Sequence, residues 1–159
     1  MTDSRNILIL GIGNSLLRDE GAGIHALNRL REELAGRDDI TFLDGGTLSF
    51  TLAGHIEDAS RLIVIDAAQL DAAPGHSQVF EGCAMDEFLG SNRKRSVHEV
   101  SLLDLMAIAH LADHLPERRA LIGIQPAEID WGEQPSDAVA AAIPRVCAQA
   151  VKLMKEWNA

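Results

Sequence analysis

With 159 residues the chain has the length of one domain, and its 47% apolar content belongs to folded globular proteins rather than disordered ones. Its 14 Lys and Arg against 24 Asp and Glu leave a net charge of -10, which argues against sequence-independent nucleic-acid binding and against docking on anionic membranes, since both need a basic surface. No apolar run approaches the roughly 20 residues that span a bilayer, and the opening MTDSRNILIL lacks the pattern of a secretory signal, so a cytoplasmic protein is expected.

The elements follow in chain order. NILILG at 6–11 reads as a central strand, apolar on both faces. Residues 20–34 read as a helix with Ile24, Leu27, Leu30 and Leu34 on one stripe. ITFLD at 40–44 is a second strand, and GGT turns the chain into a short helix near 48–58. RLIVIDA at 61–67 is a third, strongly apolar strand. A loop with Pro74 and Gly75 leads to a shorter strand, SQVFEG at 77–82. A helical piece at 84–89 precedes the polar run GSNRKRS at 90–96 and a helix at 99–113. RALIGIQP at 119–126 is the last strand, stopped by Pro126. The final helix starts near Ser136, a suitable N-cap, and runs to about 156, with Pro144 expected to kink it.

Strands that alternate with helices and are apolar throughout imply one α/β domain over 1–159: a twisted, mostly parallel sheet of about five strands sandwiched between helices. The first strand is expected in the middle, between the second and the third, with right-handed connections. Ligands of such sheets bind beyond the carboxyl ends of the strands, where the strand order reverses. Glu20 follows the first strand, Asp44 ends the second and Asp66 ends the third, so three carboxylates are expected at one rim.

The glycines of GIGNSLLRDEG, residues 11–21, match a dinucleotide fingerprint only in part: Gly11 and Gly13 are present, but Leu16 holds the third position. Asp19 and Glu20 at the mouth of the next helix would repel a pyrophosphate. The glycines are therefore expected to serve a tight turn, and Asp19 to compensate the helix dipole. Asp66 is harder to dismiss. It ends LIVID, where a carboxylate is costly unless paired or bound to a cation. His25, His55, His76, His110 and His114 read as surface or hydrogen-bonded histidines, whereas His98, in SVHEVSL before a helix, is placed to reach back over the rim. Carboxylate, carboxylate and imidazole make an open oxygen and nitrogen set that suits nickel, zinc or iron. Glu99 and Asp104 are expected to be solvated, as are Arg93, Lys94 and Arg95, for which contact with an acidic part of a partner is the alternative. Cys83 and Cys147 stand far apart without a CxxC motif and are expected to be reduced and mostly buried. Neither lies in a nucleophile context, and no nucleophile elbow appears.

Five segments taken together, GIGNSLLRDEGAG, LDGGT, LIVIDA, SVHEVSL and IGIQP, closely resemble the endopeptidases that mature [NiFe]-hydrogenases, in order and over about residues 6–156. The resemblance implies an α/β fold and a protease that removes a short C-terminal peptide from the hydrogenase large-subunit precursor once nickel is inserted. The implied cut follows a His or Arg just beyond the last metal-binding cysteine motif. By motif, the family's nickel-contacting ligands map onto Glu20, Asp66 and His98. Asp44 is a candidate orienter or general base, or a cap on the GGT turn. The nickel is expected to arrive with the precursor, and the free protein to be a metal-free monomer. The GIQP and WGEQPS segments resemble proteases of uptake-type hydrogenases. A metal-sensing chaperone that binds the large subunit without cutting it would use the same three ligands, and a nucleotide-binding regulator is a further alternative.

Overall fold

The computed structural model describes residues 6–46, 48–91 and 101–158. His98 and Glu99, and Arg93, Lys94 and Arg95, lie outside the described residues. Five strands, β1 (Ile7–Ile12), β2 (Ile40–Gly46), β3 (Arg61–Ala67), β4 (Ser77–Glu81) and β5 (Arg118–Ile124), form one sheet in the order β2-β1-β3-β5-β4. β1 lies between β2 and β3 and is parallel to both, and β5 is parallel to β3. β4 alone runs antiparallel, at the edge beside β5.

The pleat sorts the apolar strands onto two faces. Ile7, Ile9, Ile63, Ile65, Ala120, Ile122 and Ile124 meet α1 (Ala22–Glu33) and α5 (Asp137–Trp157). Leu8, Leu10, Leu62, Val64 and Leu121 meet α2 (Leu52–Asp58), α3 (Cys83–Ser91) and α4 (Leu102–Leu111). The expected stripe on α1 is present: Ile24, Leu27 and Leu30 are buried and Leu34 packs against the same core. α4 begins with a capping box, in which the Ser101 hydroxyl accepts the Asp104 N–H and the Asp104 carboxylate accepts the Ser101 N–H. Asp104 is thus a helix cap rather than simply a solvated acid. Arg119 donates to both oxygens of Asp86, at 3.0 and 2.5 Å, and so fastens α3 to β5.

Several expectations are adjusted. The helix expected from residue 20 opens as a separate 3-10 turn, Arg18–Gly21, and α1 proper begins at Ala22. α2 is shorter than expected, starting at Leu52. α5 runs from Asp137 to Trp157 with Pro144 inside it, as expected. Cys147 is buried, and burial pushes its thiol up to about 11, but Cys83 is exposed because it opens α3 at the surface. His25 is half-buried, and its Nε2 has no hydrogen-bond partner among the described residues.

Gly23 decides how closely α1 approaches the sheet. A Cβ built there would lie 2.2 Å from the Ile65 carbonyl oxygen and 2.5 Å from that of Ile12. Both obstacles are strand backbone, so the helix itself would have to move. Helix propensity alone favours Ala over Gly by about 1 kcal/mol. Gly23→Ala is expected to destabilise instead, by about 1–3 kcal/mol, because overpacking outweighs propensity. A thermal melt reads the sign directly, and an unchanged or raised Tm would contradict the close packing.

Candidate functional site

The segment from Gly13 to Gly21 rises off the end of β1 and is folded by its own backbone. The Asn14 side chain accepts the Leu16 N–H at 2.9 Å, and the Asn14 and Leu17 carbonyls accept the N–H groups of Leu17 and Glu20, both at 3.1 Å. Gly13 has φ +135, and a Cβ there would lie 1.9 Å from the Glu20 carbonyl oxygen. The glycine therefore lets the chain fold back tightly under Glu20, the turn role expected of it.

A second loop holds the first. The Leu16 carbonyl accepts from Gly132 N–H and the Gly132 carbonyl from Arg18 N–H, both at 2.9 Å. The Arg18 guanidinium donates to the Gln134 carbonyl and pairs with Glu128. These contacts hold Arg18 at φ +48, a left-handed conformation costly for a side chain of that size.

Asp19 ties the knot. It is fully buried. Its Oδ2 accepts from the N–H groups of Ala127 and Glu128 and from the Ser136 hydroxyl, all at 2.8 Å, and its Oδ1 accepts from the Ser136 N–H at 2.6 Å. Burial alone would push this carboxyl up, but the N–H groups of Glu128, Ser136 and Ala127, with the Ser136 hydroxyl, outweigh it and hold the pKa below the ordinary aspartate value. Dipole compensation is thus not the main work of Asp19. Ser136 does stand at the N-cap of α5, but its hydroxyl is given to Asp19 and makes no cap bond to the helix.

Glu20 is the next residue, half-buried at the lip of the sheet. Asp66 lies across from it at the end of β3, level with Gly123 of β5. Burial holds the Asp66 carboxyl well above the ordinary aspartate value; the Ala67 N–H lowers it, and the charge of Glu20 raises it further. Glu20 and Asp66 therefore repel one another in a poorly solvated place. Such a pair is stabilised by a cation that enters between them.

Asp44, at the end of β2, is exposed and level with Gly11. Its Oδ1 accepts the Gly46 N–H at 2.8 Å, the geometry of a turn cap. Among the described residues no three or more His, Cys, Asp or Glu side chains are grouped as a metal site. Glu20 and Asp66 make two such donors, and His98 lies outside the described residues.

Beside Asp66 opens a cavity of about 260 Å³ with apolar walls that include Phe88 and Leu89 of α3, Leu102 of α4 and Leu121 of β5. The backbone beyond Asp66 is held by Gln125. Its side chain accepts the Leu70 N–H at 2.7 Å, and its carbonyl accepts the Gly75 N–H at 2.9 Å. A larger cavity, about 440 Å³, lies at the opposite ends of the strands beside Arg61 and Arg118, away from Glu20 and Asp66.

Fold and site define an α/β protein with two interacting carboxylates, Glu20 and Asp66, at the carboxyl rim of its sheet. The family described as HycI, hydrogenase maturation protease, matches residues 24–153. The hydrogenase expression/formation proteins HupD of Rhizobium leguminosarum bv. viciae and of Rhodobacter capsulatus are 36% and 37% identical over 153 residues, covering 96% of this chain and 75% and 72% of theirs. The hydrogenase maturating endopeptidase HybD from E. coli superposes with a TM-score of 0.85 at 27% identity, over 95% of this chain and 93% of that one. The [NiFe] hydrogenase maturation protease HybD from Thermococcus kodakarensis gives 0.74 at 33%, over 94% and 99%. The chain belongs to the hydrogenase maturation protease family and is a peptidase.

Proposed function

We propose that this protein removes the C-terminal peptide of a [NiFe]-hydrogenase large-subunit precursor after nickel insertion, acting as a cytoplasmic monomer. Nickel is part of the substrate in this reading. Glu20, Asp66 and His98 complete its coordination and so make cleavage conditional on its presence. The observation that carries the proposal is the Glu20–Asp66 pair, two mutually repelling carboxylates at the rim beside an open cavity. A borderline divalent cation suits two carboxylates and an imidazole, and selectivity then comes from the joint site with the precursor's own ligands.

The cation would supply Lewis acidity at the scissile carbonyl or to the attacking water. The chain's residues supply position. Asp19 and Gly13 fix the turn that presents Glu20, and Gln125 fixes the backbone that follows Asp66. In the sequence His98 stands three residues before Ser101, the N-cap of α4. Leu102, the first residue of that helix, lines the same cavity as Asp66. Asp44 caps its turn, and a role in orienting a water or a ligand is the alternative within this reading.

The test is to mix the purified protein with precursor, with and without nickel, and to weigh the precursor by mass spectrometry. Loss of a C-terminal peptide in the nickel-loaded sample alone is expected. An unchanged mass in a stable complex would replace the protease reading with that of a metal-sensing chaperone.

A further inference from the structure

The loops that hold Glu20 also carry apolar side chains into solvent. Leu16 is 50% exposed, Ile129 53% and Trp131 81%. The chain has two tryptophans, and the other, Trp157, is buried. Leu16 and Trp131 are brought side by side by the Gly132 N–H bond to Leu16 and by the parallel bridge between Leu17 and Gly132. Ile129 follows Glu128, whose N–H is held by Asp19.

An exposed tryptophan on a slack loop would carry little information. This one stands on a loop fixed by a buried carboxylate with four hydrogen bonds, by an ion pair and by backbone bonds to its neighbour. A rigid aromatic anchor with apolar neighbours is the arrangement that concentrates binding energy in protein interfaces, because little order is lost on contact. The patch is anchored to the turn that carries Glu20: Leu16 stands four residues before Glu20 in it, and Asp19, which grips the Ile129 loop, directly precedes Glu20. Exposed acids fringe it: Asp130 and Glu133.

We propose that Leu16, Ile129 and Trp131 form the docking surface for the folded body of the hydrogenase precursor, met by an apolar patch with a basic fringe close to the segment that is cut. The proposal rests on the function proposed above. It is argued from the attachment of the patch to the turn that carries Glu20: a folded protein substrate that presents a peptide at Glu20 and Asp66 must cover surface near them, and an interface of ordinary size buries about 800 Å² per partner. The acidic fringe sets the charge of the matching surface.

The experiment measures binding of nickel-loaded precursor to the immobilised protein, and the rate of processing against precursor concentration, for wild type, Trp131→Ala and Asp130→Lys. Trp131→Ala is expected to raise both Kd and KM by about 10-fold or more, with kcat at saturation within about two-fold and an unchanged Tm, because the side chain packs on little of its own chain. Asp130→Lys is expected to slow association, most strongly at low salt. If wild type cleaves and Trp131→Ala shows the same Kd and KM, the docking surface is overturned and the protease reading stands. If wild type binds without cleaving and Trp131→Ala binds more weakly, the docking surface stands and the protease reading falls. A wild type that neither binds nor cleaves overturns both. So does a result in which the substitution abolishes only self-association of this protein and precursor binding is absent.

Discussion

Replacing Asp19 by Ala is expected to cost about 3–5 kcal/mol, because it strands buried donors that met a carboxylate. The N–H groups of Ala127, Glu128 and Ser136 and the Ser136 hydroxyl all lose their acceptor. The effect is expected to fall first on the 126–136 loop and on the turn that carries Glu20, and to appear as faster proteolysis there as well as a lower denaturant midpoint. Asp19→Asn, which keeps the shape but turns an amide NH₂ toward N–H donors, is expected to fall between the two. The pH dependence has a definite sign. The folded pKa of Asp19 lies below the ordinary value of 3.8, so its contribution is fully present above 3.8 and is lost as pH falls through the lower folded value. The stability gap between wild type and Asp19→Ala is therefore expected to be constant around neutrality and to narrow in acid. Denaturant titrations at neutral pH and below 3.8 would show it, and a gap that widens in acid would exclude the carboxylate as the clamp.

Glu20→Gln and Asp66→Asn are each expected to reduce nickel-dependent processing by about 100-fold or more, given that even outer partners of a metal site are worth 10–100-fold. The stability readout should move differently. Asp66 is held at the rim against burial and against the charge of Glu20, so an amide there removes a cost and, among the described residues, no favourable side-chain partner. Asp66→Asn is expected to keep or raise Tm while losing activity, which is the signature of a residue kept for function at the expense of stability. Full processing by either variant would remove that residue from the site. A fall in Tm matching the loss of activity would make the role structural.

These two carboxylates differ in how visible they were. Asp66 stood out because LIVID leaves a charge at the end of an apolar strand, a local conflict that any reader of the chain meets. Glu20 followed from the mismatch between a glycine turn and an acidic helix entry. Asp19 looked like the lesser of the two acids and turns out to hold the site together. No window of sequence shows this, since its partners lie 108, 109 and 117 residues further on. Gln125 is similar: in IGIQP it reads as the end of a strand, and only the fold brings Leu70 to it.

The sequence by itself determined the α/β class, the place of β1 between β2 and β3 and the strand ends that carry Asp44 and Asp66, because strand and helix periodicity and the rules of parallel sheets act within single elements and between consecutive ones. Only the tertiary structure decided that the 3-10 turn precedes α1, that Ser136 serves Asp19 rather than its own helix, that Cys83 faces solvent, and that the backbone after Trp131 bonds to Leu16. Each of those depends on a hydrogen bond or a packing contact between segments far apart in the chain. Such contacts are set by how the finished layers meet, and local pattern carries no trace of them.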